Sequence, residues 1–235
     1  MQQQALEIQG IPAIVYGQPS DRVFLCLHGQ GGNKEEAAAF AALAARHGWQ
    51  TLSIDLPEHG TRRAETNRFD PWHVVPELHA VLDCVKPRWA RRALLANSIG
   101  AWFSLLSFQD EQFDRCLLVS PVLDMPQLIS DMMGWAGVTP EQLEREGTIE
   151  TDFGQTLSWP YREYALAHPI VRCPGPTAIL YAGHDHLTAR ETVDRFAERC
   201  GCTLTVWPDG EHWFHTPKQL DVLRRWLAAQ LQLLP

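Results

Sequence analysis

The sequence predicts an α/β fold, with a mostly parallel central sheet flanked by helices. Three observations carry that expectation. Short apolar runs of strand length alternate with longer helix-forming stretches along most of the chain, which is the rhythm of βαβ units. A length of 235 residues with 45% hydrophobic residues suits one domain, here 1–235, with a sizeable core. No repeat, low-complexity tract or interdomain linker interrupts the pattern.

Residues 6–15 read as an opening strand pair turned at Gly10-Ile11-Pro12, and 22–27 as a central strand. Residues 34–48 are alanine-rich and stop at a glycine, as helices often do. A strand follows at 49–55, then a helix at 72–85 ended by Pro87. Residues 92–97 form a strand leading into a helix at 101–108, and 115–121 a strand followed by a break. The closing units are a strand at 177–183, a helix near 189–200, a strand at 203–207 and a helix from about 217 to 233. The stretch at about 122–176 is longer than a usual crossover. It holds Met125, Met132, Met133, Trp135, Trp159 and Tyr161 among helical segments, and long insertions of this kind are often lids or binding elements.

Composition excludes several classes of function. A formal net charge of −8 argues against a nucleic-acid binder, which usually carries a basic patch. No run of about 18 apolar residues is present to span a membrane. The start, Met1-Gln2-Gln3-Gln4, has neither the basic nor the apolar region of a signal peptide. The six cysteines, at 26, 84, 116, 173, 200 and 202, form no CxxC pair. Cys26, Cys116 and Cys173 lie in or beside apolar runs, where cysteine usually acts as a small core residue, and Cys200 and Cys202 are too close for an ordinary bridge. A reducing cytoplasm is the expected setting.

The chemistry concentrates at Leu94-Leu95-Ala96-Asn97-Ser98-Ile99-Gly100. An apolar run ends in a serine with small residues two before and two after it, and a helix-forming run follows. A nucleophile elbow needs that layout, because its strained turn tolerates no bulk at those positions. Ala96 stands where glycine is commoner, and Ser98 also reads as the N-cap of the next helix. Three further segments stand in a telling order. Residues 23–33 run from an apolar strand into the loop His28-Gly29-Gln30-Gly31-Gly32. A strand ends at Asp185, and a strand and turn, Pro208-Asp209-Gly210-Glu211, deliver His212. Serine, then acid, then histidine is the triad order that goes with such an elbow.

On these residues, together with Asp55-Leu56-Pro57-Glu58-His59-Gly60, the chain resembles the α/β-hydrolase family across nearly its whole length. The resemblance implies the α/β-hydrolase fold, with 122–176 as a small helical cap over the active site. It implies a serine hydrolase that cleaves a carboxylic ester or thioester through an acyl-enzyme. Ser98 is then the nucleophile, His212 the base and Asp185 its orienting acid, and the backbone N–H groups of Gln30 and Ile99 form the oxyanion hole. Asp124, beyond the strand at 115–121, is the rival acid. Asp209 and Glu211 share the turn of His212 and can hardly orient its ring. His28 and His59 are expected to tie loops together, and Trp213 and Phe214 to pack.

No cofactor or metal is expected. His184, His186, His212 and His215 bring nitrogens near one another but lack the usual zinc signatures. The expected partner is a small-molecule substrate with a hydrophobic acyl or aryl group, since apolar cap residues would line the pocket. The oligomeric state is open. An amidase or peptidase, an acyltransferase or a lyase on the same fold are the alternatives, as is a non-catalytic ligand-binding protein.

Overall fold

A computed structural model describes residues 1–234. The chain opens with β1 (Gln3–Ile8), β2 (Ile11–Tyr16) and β3 (Arg22–Leu27), followed by α1 (Ala38–Ala44) and β4 (Gln50–Ile54). Next come α2 (Pro71–Val85), β5 (Arg91–Asn97), α3 (Ser98–Phe108) and β6 (Arg115–Val119). The insertion carries α4 (Met125–Ala136), α5 (Pro140–Glu146), β7 (Thr148–Glu150), β8 (Thr156–Ser158) and α6 (Trp159–Ala167). The chain closes with β9 (Thr177–His184), α7 (Arg190–Cys200), β10 (Thr203–Glu211) and α8 (Pro217–Gln232).

Among the described residues, eight strands form one sheet in the order β1-β2-β4-β3-β5-β6-β9-β10. The β1–β2 and β2–β4 pairs are antiparallel, and the remaining pairs are parallel. Period-2 alternation sends each parallel strand's side chains into two cores. Val23, Leu25 and Leu27 of β3 join the core beneath α2, α3 and α7, and Phe24 and Cys26 join the one beneath α1 and α8. The same division holds in β5, with Leu94 and Ala96 on one face and Ala93 and Leu95 on the other. A sheet buried on both faces explains the unbroken apolar runs in the sequence.

Four elements differ from the sequence expectation. The opening turn falls at Gln9-Gly10, both with positive φ, so β2 already begins at Ile11. The helix expected at 34–48 is α1 framed by 3-10 turns at Lys34–Ala37 and Ala45–His47, ending at left-handed Gly48. Asn33 tightens its start by accepting a hydrogen bond from Glu35 N. The insertion contains the hairpin β7–β8, whose strands of three residues each are too short to leave a periodic signal. Finally, β10 runs on to Glu211 through a bulge, in which Trp207 pairs with Ala182 and Glu211 with His184.

The insertion packs on the α2–α3 face. Its Leu128, Ile129, Met133, Leu143 and Leu157 belong to that core, and Tyr161 stacks on Trp102 with centroids 5.7 Å apart. Trp135 stays 53% exposed and meets only the half-exposed Phe153 edge-on among the aromatic contacts.

Candidate active site

Parallel strands deliver their C-terminal ends to one edge of the sheet, and there the predicted residues meet. β5 ends at Asn97 and α3 starts at Ser98, with no loop between them, which forces Ser98 to φ +50°. A non-glycine residue reaches that left-handed region only when its surroundings hold it there. The Ser98 hydroxyl does not cap the helix. It donates to His212 Nε2 at 2.8 Å, and His212 Nδ1–H donates to Asp185 Oδ2 at 2.7 Å. The Asp185 side chain is fully buried and that of His212 is 12% exposed.

Backbone around the site fixes each partner. Asp185 Oδ1 accepts from Leu187 N at 2.8 Å and Thr188 N at 3.1 Å, leaving Oδ2 for the imidazole. Thr188 Oγ1 donates to the Pro121 carbonyl, tying this loop to the chain leaving β6. There Ser120 takes φ +42°, and Val122 N donates to the Ser98 carbonyl at 3.1 Å. Gly183 lets β10 approach: a Cβ there would collide with the Pro208 backbone. The bulge at Pro208-Asp209-Gly210 thereby aims His212 back at Asp185.

The loop at Gly29 closes the other side. A Cβ at Gly29 would stand 3.2 Å from Ser98 Cβ, and one at Gly100 would strike the His28 carbonyl. Elbow helix and glycine loop therefore touch through two side-chain-free positions, Gly29 and Gly100. The Gln30 side chain extends outward, its Nε2 within 3.5 Å of Gln155 Oε1 on the insertion. His28 works as a tie. Burial pulls its pKa down to about 4, so the neutral ring accepts from Leu56 N at 3.1 Å and donates from Nδ1 to the Gly29 carbonyl. His59 likewise donates to the Pro57 carbonyl at 2.7 Å.

Beneath this loop lies a feature that sequence reading missed. Asp55, fully buried, accepts from Lys34 Nζ at 2.6 Å, Lys34 N at 2.9 Å, Thr61 N at 2.9 Å and Thr61 Oγ1 at 2.7 Å. Burial alone would raise its pKa, but these hydrogen bonds, led by Lys34, outweigh it and hold the carboxyl below its ordinary range. Gly60 is required because a Cβ would overlap the Asp55 carboxylate. The only signal in the sequence was the Asp55-to-Gly60 string itself. Its partner Lys34 sits 21 residues upstream with no local pattern to mark it.

The other candidates lie apart from this line. Asp124 caps α4 by accepting from Gln127 N at 3.0 Å. Asp209 pairs with Lys218, and Glu211 accepts from Gln219 Nε2 at 3.2 Å. His186 meets the His212 ring edge-on at 6.1 Å, and His215 donates to the Trp213 carbonyl at 2.8 Å. Among the described residues, no group of three or more His, Cys, Asp or Glu side chains is arranged to hold a metal ion. Phe214 packs in the α1–α8 core as expected, but Trp213 does not pack. It is 73% exposed and stacks on His215, with exposed residues alternating with buried or half-buried ones along 211–215.

The fold and this constellation define an α/β hydrolase. The alpha/beta hydrolase family model matches residues 24–225, and the chain belongs to that family. Among solved structures, Est1E from Butyrivibrio proteoclasticus, determined with ferulic acid bound, is similar with a TM-score of 0.77 and 18% identity, covering 97% of this chain and 98% of that one. Alpha/beta hydrolase domain-containing protein 10 from mouse gives 0.79 and 13%, covering 99% of each chain. A thioesterase domain from the curacin biosynthetic pathway gives 0.63 and 17%, again covering 99% of each. At these identities the likeness concerns the fold. No curated protein sequence matches the chain.

Proposed function

We propose that the protein is a serine hydrolase that cleaves a carboxylic ester or thioester through an acyl-enzyme. The observation that carries this reading is the hydrogen-bonded line from Ser98 Oγ through the His212 ring to Asp185, built on a serine held at positive φ. His212 Nε2 takes the hydroxyl proton as Ser98 Oγ attacks the substrate carbonyl carbon, then gives it to the departing oxygen or sulfur. Asp185 holds Nδ1–H and stabilises the imidazolium. The backbone N–H groups of Gln30 and Ile99 receive the oxyanion, and losing one such donor typically costs about 100- to 1000-fold in rate. Water then repeats the sequence on the acyl-enzyme.

The insertion at 122–176 acts in this reading as a cap over the acyl group, with Gln155 meeting the oxyanion loop at Gln30. A hydrophobic acyl or aryl substrate fits this reading, and the ferulic acid bound to Est1E is an aryl acid. The six cysteines are free thiols, which supports a cytoplasmic setting. Among the described residues, no helix is long and apolar enough to cross a membrane.

The test is labelling by a fluorophosphonate probe, wild type beside Ser98→Ala, with p-nitrophenyl esters and acyl thioesters of graded length. Labelling and turnover confined to the wild type support the proposal. A folded wild type that takes no label overturns it and favours a ligand-binding role.

A further inference from the structure

Three cysteines that the sequence scatters are gathered at the edge of the sheet opposite the triad. Cys173 lies on the strap between α6 and β9, Cys200 ends α7, and Cys202 follows the left-handed Gly201 that caps that helix. The Sγ atoms of Cys173 and Cys202 stand 3.7 Å apart. All three cysteines are half-buried free thiols, so solvent reaches a pair already in sulfur contact.

Both sides of the contact are held in place. Cys202 N donates to the Ala197 carbonyl at 2.8 Å, closing the end of α7. On the strap, Val171 N donates to Gln109 Oε1 at 3.2 Å, and Phe113 N donates to the Pro174 carbonyl at 2.8 Å. Arg199 reaches across to the Ile170 carbonyl at 3.0 Å, which sets a guanidinium beside Cys173. Forming a bond of about 2.05 Å from a 3.7 Å contact requires the sulfurs to close by about 1.7 Å, within reach of side-chain rotation.

The chemistry of the two thiols differs. The Cys202 contact, helped by Thr177, Cys200 and Arg199, brings Cys173 down to about 7 against the opposing effect of burial. Cys202 moves the other way, raised by its contact with Cys173 and by burial. A low thiol beside a protonated one is the arrangement of an attacking and a resolving cysteine.

We propose that Cys173 and Cys202 form a reversible, peroxide-responsive disulfide site. The Cys173 thiolate attacks one oxygen of hydrogen peroxide. The O–O bond breaks, hydroxide leaves, and Cys173 becomes a sulfenic acid. Cys202 sulfur then attacks Cys173 sulfur, the S–O bond breaks, and the hydroxide takes the Cys202 proton as water. Two thiols and one peroxide give one disulfide and two waters, with two electrons passing from sulfur to oxygen. The bond ties the strap to the end of α7, and it does not depend on what Ser98 does.

The experiment treats the whole protein with graded hydrogen peroxide, blocks remaining thiols with iodoacetamide and maps non-reduced peptides by mass spectrometry. The expected result is a fall from six titratable thiols to four, a single Cys173–Cys202 cross-link and reversal by dithiothreitol. A loop of this length should also raise Tm by about 7–14 °C. In Cys202→Ser, the cross-link is lost and dimedone traps a sulfenic acid at Cys173, whereas Cys84→Ser oxidises like wild type. Six thiols surviving a dose that fully oxidises free cysteine overturns the proposal. So does a bond to Cys200 in place of Cys202.

Discussion

Asp55→Asn perturbs the clamp under the glycine loop and leaves the Ser98–His212–Asp185 line untouched. The wild-type carboxylate is fully buried, its partner Lys34 is 7% exposed, and four donors converge on it. An asparagine of the same shape keeps one acceptor but leaves the buried Lys34 ammonium with only the exposed Glu35 carboxylate, 3.1 Å away, as counter-charge, and points an NH2 at existing donors. Removing one partner of a buried pair costs about 3–5 kcal/mol, and the retained acceptor places this change near about 3 kcal/mol. For a chain of this length that corresponds to a fall in Tm of about 6–12 °C. Because Lys34 N leads directly from the glycine loop, ester turnover under the proposed function should fall by about tenfold or more as that loop shifts.

Urea denaturation at several pH values isolates the charge. The native carboxyl titrates below its ordinary range, so its contribution is fully present above the unfolded value near pH 4. That contribution drains away as pH falls through the lower native value. The gap between wild type and Asp55→Asn should therefore hold above about pH 4 and narrow progressively below it. Adding Lys34→Met removes the buried cation, which Glu35 alone only partly compensates, and should recover about half of the loss. A single variant within about 1 kcal/mol of wild type refutes the reasoning. A gap that ignores pH, or a double variant that merely adds two losses, does so as well.

Other substitutions probe the remaining contacts. Asp185→Asn should keep the fold and lower kcat by about 10⁴-fold with little change in KM, read by steady-state ester hydrolysis. His28 stays neutral in the fold down to about 4, while the unfolded chain takes up its proton near pH 6.5, so stability falls as pH drops between those values. The drop amounts to about 3 kcal/mol, and denaturation of His28→Asn should show a correspondingly flatter acid limb. Gly100→Ala forces a methyl into the His28 carbonyl and should cost about 100-fold or more in turnover, or the fold itself. Gly134→Ala on α4 meets nothing within 4 Å and should instead add about 0.5–1 kcal/mol by thermal denaturation.

The contrast between these sites shows what a sequence can carry. Strands β3, β5, β6 and β9 were legible because burial on both faces demands continuous apolar runs, and the elbow because a strained turn excludes bulk at Ala96 and Gly100. The candidate site was legible in its order, since Ser98, Asp185 and His212 each follow a strand ending at the same edge of a parallel sheet. Contacts between loops leave no such imprint. Lys34 meets Asp55 across 21 residues, and Cys173 meets Cys202 across 29, each through backbone paths set by the whole fold. The β10 bulge falls between these cases. Pro208 and Gly210 both signal a break in a strand, but the resumption of pairing at Glu211 depends on Gly183 in the neighbouring strand. That cross-strand dependence decides the geometry of the candidate site: without the close approach at Gly183, the same residues would still spell the motif and His212 would miss Asp185.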